Sequence, residues 1–364
     1  MKVTDDRCLH ILPKTPLKQP HFSPFSDDDE EVEEMRHVDL QDVLGFARSF
    51  MECRVFLSAA ELNLFTILTP DPLPAQEVAS RIGADTRGLT ILLDALSAMG
   101  LLDKRGEVYQ CSPSASRFLS ADVPDSVLPM VLHMAGLWKR WSSLTSIVQG
   151  AHVSDQMTAS FRDADELRAF IGAMDVIAKH LAPRIVADVH PGPSRALLDV
   201  GGASGTYTIA FLQAAPEMKA TLFDKPEVIE IARQRLGKAG VLDRVALVPG
   251  DFFRDPLPAG HDLVFISAII HQNSPGENVS LFRNVFQSLN RGGRVVIRDH
   301  VMEPDRTLPK EGALFAVNML VSTAAGRTYT YDEIKACLEQ AGFIEIRLLQ
   351  KGEHMDALVE AFKP

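Results

Sequence analysis

The stretch Arg195-Ala-Leu-Leu-Asp-Val-Gly-Gly-Ala-Ser-Gly-Thr-Tyr207 decides the fold. Its apolar run, residues 196–200, is typical of a strand that is buried on both faces of a parallel sheet. The glycines at 201, 202 and 205 predict a turn, and the apolar residues that follow predict a helix over 209–215. A strand, a glycine-rich turn and a helix in this order let a nucleotide-like ligand approach the backbone closely.

The glycine turn favours S-adenosylmethionine (SAM) over a dinucleotide. Compared with the pattern Asp-x-Gly-x-Gly-x-Gly, the sequence has Gly201, Ala203 and Gly205, so alanine replaces the middle glycine. SAM has no pyrophosphate, so it depends less on a glycine that lets the ligand approach the backbone at the middle position. An NAD-dependent dehydrogenase, the alternative, binds a pyrophosphate and would need that glycine. The next predicted strand ends in Asp224, where a carboxylate can accept hydrogen bonds from both ribose hydroxyls.

Composition bounds the class of protein. The 364 residues are 46% apolar, can bury a large core, and by their number suggest two domains. We find neither a membrane-spanning apolar run nor a signal peptide, and four scattered cysteines lack metal-ligand spacing, so we expect a cytoplasmic protein with free thiols, no metal and no membrane partner. The net charge of −11 argues against nucleic acid as a partner. Residues 27–34 hold seven acids, and residues 1–37 are predicted to be a disordered acidic tail.

Residues 38–120 are predicted to form a mostly α-helical winged-helix domain. A long helical pattern is followed by shorter ones over 75–82 and 86–99, and then by a small hairpin around Lys104-Arg105-Gly106. The same order occurs in noncatalytic DNA-binding regulators, which is an alternative from a different class. However, the second of the two shorter helices has Arg87 as its only cation and a surplus of apolar residues. We therefore favour dimerisation over DNA binding for this domain.

Residues 121–190 are predicted to be linking helices. They hold both tryptophans, Trp138 and Trp141, at a spacing that places them on one helical face, and also Met174. Methionine and aromatic residues at helical spacing are more often core than ligand contacts. For these residues a pocket for a flat apolar acceptor and ordinary core or dimer packing remain equally weighted alternatives.

Strand and helix patterns alternate over residues 191–364. This alternation predicts an α/β domain whose parallel sheet has helices on both faces and an antiparallel last strand. Ligands in such sheets lie beyond the carboxyl ends of the strands. Five of the predicted ends carry the residues Gly201, Asp224, Asp251 with Phe252, Ser267 to His271, and Asp299. The predicted strands cover residues 195–200, 220–223, 244–248, 262–267, 293–298, 343–349 and 356–362.

Over residues 38–364 the chain resembles the SAM-dependent O-methyltransferases that carry an N-terminal winged-helix dimerisation domain, a family with plant phenylpropanoid and bacterial polyketide and pigment enzymes. The resemblance implies a Rossmann-like class I methyltransferase sheet, SAM as cofactor, a homodimer, and a small aromatic or polyketide-like hydroxyl acceptor. The motifs that carry it are Leu198-Asp-Val-Gly-Gly, Phe223-Asp-Lys-Pro-Glu-Val, Gly250-Asp-Phe-Phe, Ile269-Ile-His271, Leu289-Asn-Arg-Gly-Gly-Arg-Val-Val-Ile, Asn318-Met-Leu and Ala341-Gly-Phe.

The resemblance also implies roles for five residues around the cofactor. Gly201 would lie under the methionine part of SAM, and Asp224 would bind the ribose. Asp251 would bond the adenine amino group while Phe252 packs on the adenine ring. Ser267 occupies the position at which the plant enzymes have a lysine that contacts the cofactor, so its contact would differ or be made by the backbone.

For the reaction, the resemblance implies His271 as general base and Asp299 as the carboxylate that orients it, with the neighbouring His300 and Glu303 as alternatives for the orienting residue. Thr328 stands where the family has a second orienting glutamate, and the family's His-Asp-Trp reads His271-Gln272-Asn273. Asn318 and Met319 would line the acceptor pocket. Methyl transfer to carbon or nitrogen, or another use of SAM, remains an alternative at this point, because the sequence does not identify the acceptor.

Overall fold

The structure, a computed structural model, describes residues 39–151 and 164–364, and the predicted acidic tail, residues 1–37, lies outside them. The chain divides into two units at residue 50, and helix α1 (Leu40–Glu61) contains the division. In the first unit, residues 40–50 of α1 are solvent-exposed except for a half-buried Leu44. The second unit, Met51–Pro364, contains every other element described below. In the described part of the chain, no helix is long and apolar enough to cross a membrane.

The second unit opens with the helix–turn–helix–hairpin order of a winged helix. Its strands β1, β2 and β3 form an antiparallel sheet in the order β1-β3-β2. Asp85 caps the second helix of the pair by accepting a hydrogen bond from the Gly88 amide. The elements are α2 (Leu64–Ile67), β1 (Leu73–Pro74), α3 (Ala75–Ile82), α4 (Thr86–Ala98), β2 (Leu102–Arg105), β3 (Val108–Cys111), α5 (Pro113–Leu119), α6 (Leu128–Trp141) and α7 (Leu144–Val148).

The rest of the molecule is built around a seven-stranded sheet, whose strand order is β11-β12-β8-β7-β4-β5-β6. Strands β4 to β8 pair in parallel, whereas the last strand, β12, pairs antiparallel with both of its neighbours. The predicted α/β class and the antiparallel last strand are confirmed. The strands are β4 (Ala196–Val200), β5 (Lys219–Asp224), β6 (Val245–Pro249), β7 (His261–Ser267), β8 (Leu289–Asp299), β11 (Ile344–Gln350) and β12 (Ala357–Phe362), and β9 (Val301–Met302) pairs separately with β10 (Tyr329–Thr330).

Helices cover both faces of this sheet and bury a separate apolar core on each. Alternation along the strands divides the side chains: Val295 and Ile297 of β8 enter one core, and Val296 enters the other. The helices are α8 (Ala164–Val189), α9 (Thr206–Ala214), α10 (Pro226–Lys238), α11 (Pro275–Ser288), α12 (Lys310–Ser322) and α13 (Tyr331–Gln340), and short 3₁₀ helices cover Leu242–Arg244 and Ile270–Gln272.

The glycine turn differs from its prediction in where the following helix begins. We predicted a start at Ile209, but α9 begins at Thr206. The reason lies in the backbone: Gly201, Ala203 and Gly205 all have positive φ values, of 68°, 48° and 78°. The turn is therefore complete at Gly205, and the polar Thr206 can open the helix although it interrupts the apolar pattern. Ala203 adopts the left-handed conformation that glycine would adopt at less cost.

We predict that Gly250→Ala lowers the free energy of unfolding by about 1–3 kcal/mol, the usual cost of overpacking. A Cβ atom at position 250 would lie 2.5 Å from Cζ of the buried Phe223, and the Gly250 amide is tied to the Asp224 carbonyl at 2.9 Å. Urea denaturation at fixed protein concentration measures the effect. Gly276→Ala is the control, because its Cβ would meet no atom within 4 Å. Equal stability of the two variants would contradict the prediction.

Candidate active site

The carboxyl ends of β4 to β8 meet at one side of the sheet, which we call the carboxyl edge. Parallel pairing places Val200 beside Phe223 on one side and beside Ile266 on the other. The predicted site residues that follow these strands therefore share this edge. Glycine is favoured at position 201, because its φ of 68° is left-handed and a Cβ atom would lie 2.7 Å from Cδ1 of Ile269, which would have to move.

His271 and Asp299 form a buried pair at the carboxyl edge. Nδ1 of His271 lies 2.9 Å from each carboxylate oxygen of Asp299, and both side chains are almost fully buried. The backbone amide of His300 donates a second hydrogen bond to Asp299 at 2.8 Å. Although burial would raise the pKa of Asp299, the charge and hydrogen bond of His271 lower it below its usual value. The carboxylate is therefore ionised near neutral pH.

The segment that carries His271 is braced by its backbone and neighbours. The carbonyl of His271 accepts a hydrogen bond from the Arg327 amide at 2.8 Å. Asn273 donates its side-chain amide to Asn278, and Asn278 donates to the carbonyl of Ile270 at 3.0 Å. Asn273, which stands where the family has tryptophan, is thus a buried hydrogen-bonding residue. This network fixes the short 3₁₀ helix on which His271 lies.

Asp224 ends β5 and closes the glycine turn. Its carboxylate accepts the amides of Ala203 at 2.8 Å and Lys225 at 2.7 Å. Burial raises the pKa of Asp224, while these two hydrogen bonds oppose the rise. Each oxygen keeps a lone pair that a ligand hydroxyl could use. Nearby, burial raises the pKa of Asp199 to about 6, although Thr208 donates to its carboxylate at 2.6 Å.

Asp251 and Phe252 follow β6 at the same edge. The Asp251 carboxylate accepts the amide of Phe253 at 2.9 Å, and Arg254 lies 3.8 Å from its second oxygen. Phe252 is half-buried, packs against the core on the Phe223 face of the sheet, and contacts the Phe253 ring with 4.6 Å between centroids. A carboxylate beside an exposed aromatic surface matches the chemistry of an adenine ring.

Ser267, at the end of β7, contacts a residue that sequence reasoning missed. Its hydroxyl accepts a hydrogen bond of 2.9 Å from Nη1 of Arg298, the residue paired with it on β8. Arg298 is only 3% exposed, and its Nε has no hydrogen-bond partner in the described chain. The sequence signal that was available is the charged residue at position 298, between the apolar run Val295-Val-Ile297 and Asp299.

The four residues predicted for the acceptor pocket occupy different surroundings. Trp138 packs against the core of the N-terminal helices and beneath Arg54, with 5.6 Å from the guanidinium to the ring. Met319 is buried and Met174 is half-buried on α8. Asn318 is brought together with the other tryptophan, since its side-chain oxygen accepts a 3.1 Å hydrogen bond from Trp141. The sequence offered no reason to choose that tryptophan over the first.

Phe315, on α12, has a ring that lies against both histidines at the carboxyl edge. Its ring meets His271 edge-on, with 4.8 Å between ring centroids, and lies 5.1 Å from His300. Sequence reasoning missed Phe315, because an aromatic residue in an apolar helix has no distinguishing pattern.

Within residues 39–151 and 164–364 no group of histidine, cysteine, aspartate or glutamate side chains could hold a metal ion.

Comparisons with known proteins agree with this geometry. An O-methyltransferase domain model matches residues 145–344, and an O-methyltransferase dimerisation domain model matches residues 44–121. The tetracenomycin polyketide synthesis 8-O-methyl transferase TcmO of Streptomyces glaucescens is 32% identical over 312 residues, which cover 84% of this chain and 92% of the relative.

Solved structures give the same result. Human N-acetylserotonin methyltransferase in complex with SAM is 26% identical, with a TM-score of 0.76 over 89% of this chain and 97% of that one. PigF with S-adenosylhomocysteine (SAH) is 26% identical, with a TM-score of 0.80 over 89% of this chain and all of that one. At the carboxyl edge, Asp224 keeps a lone pair free on each carboxylate oxygen, and the Asp251 carboxylate is followed by the half-buried Phe252 ring; these groups fit SAM. The chain belongs to the SAM-dependent O-methyltransferases that combine an O-methyltransferase domain with an N-terminal dimerisation domain.

Proposed function

We propose that this enzyme methylates a hydroxyl of a small aromatic or polyketide-like acceptor, with His271 as the general base. The observation that carries the proposal is the buried contact of His271 with Asp299. The relatives named above act, by their names, on a polyketide and on N-acetylserotonin. SAM, when bound, supplies an electrophilic methyl group. The protein has to position the acceptor, exclude water and remove the hydroxyl proton.

Asp299 sets the protonation of the His271 ring. An ionised carboxylate 2.9 Å from Nδ1 favours the tautomer in which Nδ1 carries the proton and donates it. The lone pair then resides on Nε2, which can accept a proton from the acceptor hydroxyl. As the imidazolium forms, the negative charge of Asp299 stabilises it. One carboxylate performs this role here, because Thr328 replaces the family's second glutamate.

His300 neighbours the same carboxylate but is a poor candidate for the base. Burial lowers the pKa of His300 to about 4, although the charge of Asp299 opposes that change. A base with such a low pKa gains little by taking a proton from a phenol, whose pKa is about 10. The backbone of His300, through its amide on Asp299, is what serves the site.

The contacts described above support the cofactor residues that the resemblance implied. Asp224 offers one free lone pair on each oxygen, which suits the two ribose hydroxyls. Asp251 and Phe252 offer an acceptor and a ring face for adenine. Gly201, half-buried and with a φ of 68°, is the backbone position proposed for the methionine part. These roles are part of the proposal, as are Trp138, Met174, Asn318 and Met319 for the acceptor pocket.

A homodimer is also part of the proposal. The exposed residues of α1 include an apolar stripe of Val43, Phe46 and Phe50, spaced three and four residues apart on one helical face. Phe46 is 73% exposed. A dimerisation domain model covers this helix from residue 44. An exposed apolar stripe on a helix is normally covered by a partner. We propose that the partner is a second copy of the chain.

His271→Gln should lower turnover of a phenolic acceptor by about 100-fold or more, because general-base catalysis contributes at least that much. We would measure turnover with a panel of single-ring, naphthol and indole phenols, and SAH affinity by calorimetry. SAH affinity should stay within about twofold of the wild type, since the change removes no proposed cofactor contact. Gln272→Ala is the control: this neighbouring side chain is exposed, and it donates a 3.3 Å hydrogen bond to the Ala268 carbonyl. An unchanged rate in His271→Gln would refute the proposed base.

His300→Gln should make stability less sensitive to acid. The folded His300 binds a proton only near pH 4, whereas an unfolded histidine binds one near pH 6.5, so falling pH favours unfolding through this interval. Between pH 7.5 and 5.0 the wild type should lose about 2 kcal/mol more unfolding free energy than the variant. Urea denaturation at both pH values measures the difference. His180→Gln, on the exposed surface of α8, should keep the wild-type loss.

The double substitution of Phe46 and Phe50 by aspartate should convert a dimer into a monomer. Charges introduced into an apolar contact would have to be desolvated without partners, which costs several kcal/mol. Light scattering during size-exclusion chromatography gives the mass. Arg48→Asp, on the opposite face of α1, should leave the dimer intact. A wild type that already runs as a monomer would rule out the proposed homodimer.

A further inference from the structure

Arg298 is a buried guanidinium for which the described chain supplies no counter-charge. Its Nη1 donates to Ser267, but Nε is unpartnered, and no carboxylate oxygen lies within 4.0 Å among residues 39–151 and 164–364. Three acids around this part of the sheet are engaged elsewhere: Asp299 with His271, Asp356 with Arg184, and Asp199 with the hydroxyl of Thr208. A buried charge in this state costs several kcal/mol, so a protein normally pairs it.

A second buried polar group lies beside it. Tyr207, in the first turn of α9 directly after the glycine turn, faces Arg298 with 5.4 Å from the guanidinium to its ring. Its hydroxyl is close to Ser267 yet forms no hydrogen bond of good geometry in the described chain. Burial raises the pKa of Tyr207, so the hydroxyl keeps its proton and is available as a donor.

Arg294 shows what a satisfied arginine looks like on the same strand and face. Its Nη1 pairs with Glu360 at 2.8 Å, and its Nη2 donates to the carbonyls of Val189 and His190. Arg294 lies toward the amino end of β8, whereas Arg298 lies at the carboxyl edge, where ligands bind. The unsatisfied donors are thus confined to the ligand end of the strand.

We propose that Arg298, with the hydroxyl of Tyr207, binds the α-carboxylate of the methionine part of SAM. This carboxylate is the anionic group of the cofactor, and none of Gly201, Asp224, Asp251, Phe252 and Ser267, the residues already proposed for the cofactor, carries a positive charge. A guanidinium and a phenol supply charge-assisted donors to a carboxylate in a site shielded from water. The proposal depends on SAM as cofactor and is independent of the role of His271.

The test compares two ligands that differ in one group. SAH carries the carboxylate, and S-adenosyl-3-thiopropylamine lacks only that group. In calorimetry, Arg298→Met should weaken SAH binding by about 30-fold or more, the loss expected when one partner of a buried charge pair is removed. Binding of S-adenosyl-3-thiopropylamine should stay within about threefold, because the lost interaction is absent from that complex.

Two lysine variants keep the test decisive if the methionine variant does not fold. Arg298→Lys retains the charge without the fork of donors and should weaken SAH selectively by about tenfold. Arg294→Lys, the matched change away from the carboxyl edge, should bind both ligands like the wild type.

Three results would overturn the assignment. Equal weakening of both ligands would mean that Arg298 has a structural role. If SAH binding is unchanged but the KM for a carboxylated acceptor is raised, the carboxylate that Arg298 binds belongs to the acceptor. If both SAH binding and that KM are unchanged, Arg298 binds neither ligand. A wild type that binds neither nucleoside would instead contradict SAM as the cofactor, whatever Arg298 does.

Discussion

The parallel pairing of β4 with β5 and β7 is the constraint on which the site depends. Parallel strands need crossover helices, and those helices bury both faces of the sheet, so the strand ends are the places where polar side chains can meet a ligand. Asp224, Asp251, Ser267 and Asp299 all leave the sheet at that edge.

Burial then determines what the polar residues at this edge can do. Asp299 stays ionised because His271 and the His300 amide compensate for its desolvation. The His300 ring is held neutral, because its own desolvation outweighs the opposing charge of Asp299. Two histidines within reach of one carboxylate thus acquire different roles through geometry. Thr328 stands where the family has a second glutamate, and one backbone hydrogen bond, from the Arg327 amide to the His271 carbonyl, helps to hold the His271 segment in place.

The sequence predicted the features that depend on hydrophobic periodicity and on the polar and turn-forming residues that end an element. The seven strands of the large sheet were placed to within one or two residues at their carboxyl ends, because buried strands end where polar residues begin. Long-range pairings without a sequence pattern could not be predicted. Neither the hydrogen bond of Trp141 with Asn318, 177 residues apart, nor the edge contact of Phe315 with His271 has a local signature. The domain boundaries at residues 37, 120 and 190 stay predictions.

Ala203 and Arg298 are two positions at which the residue is not the one that local backbone or burial preferences favour. A left-handed alanine costs more than glycine and is retained beside the carboxylate of Asp224, to which its amide donates. An arginine in an apolar strand would destabilise the fold if its charge were left without a partner, and Arg294 shows that the same strand can satisfy one fully. Both of these departures lie at the carboxyl edge, where a bound ligand can compensate for their cost. Because a stable fold tolerates such costs where binding repays them, the two positions support the proposed functional surface without reference to any motif.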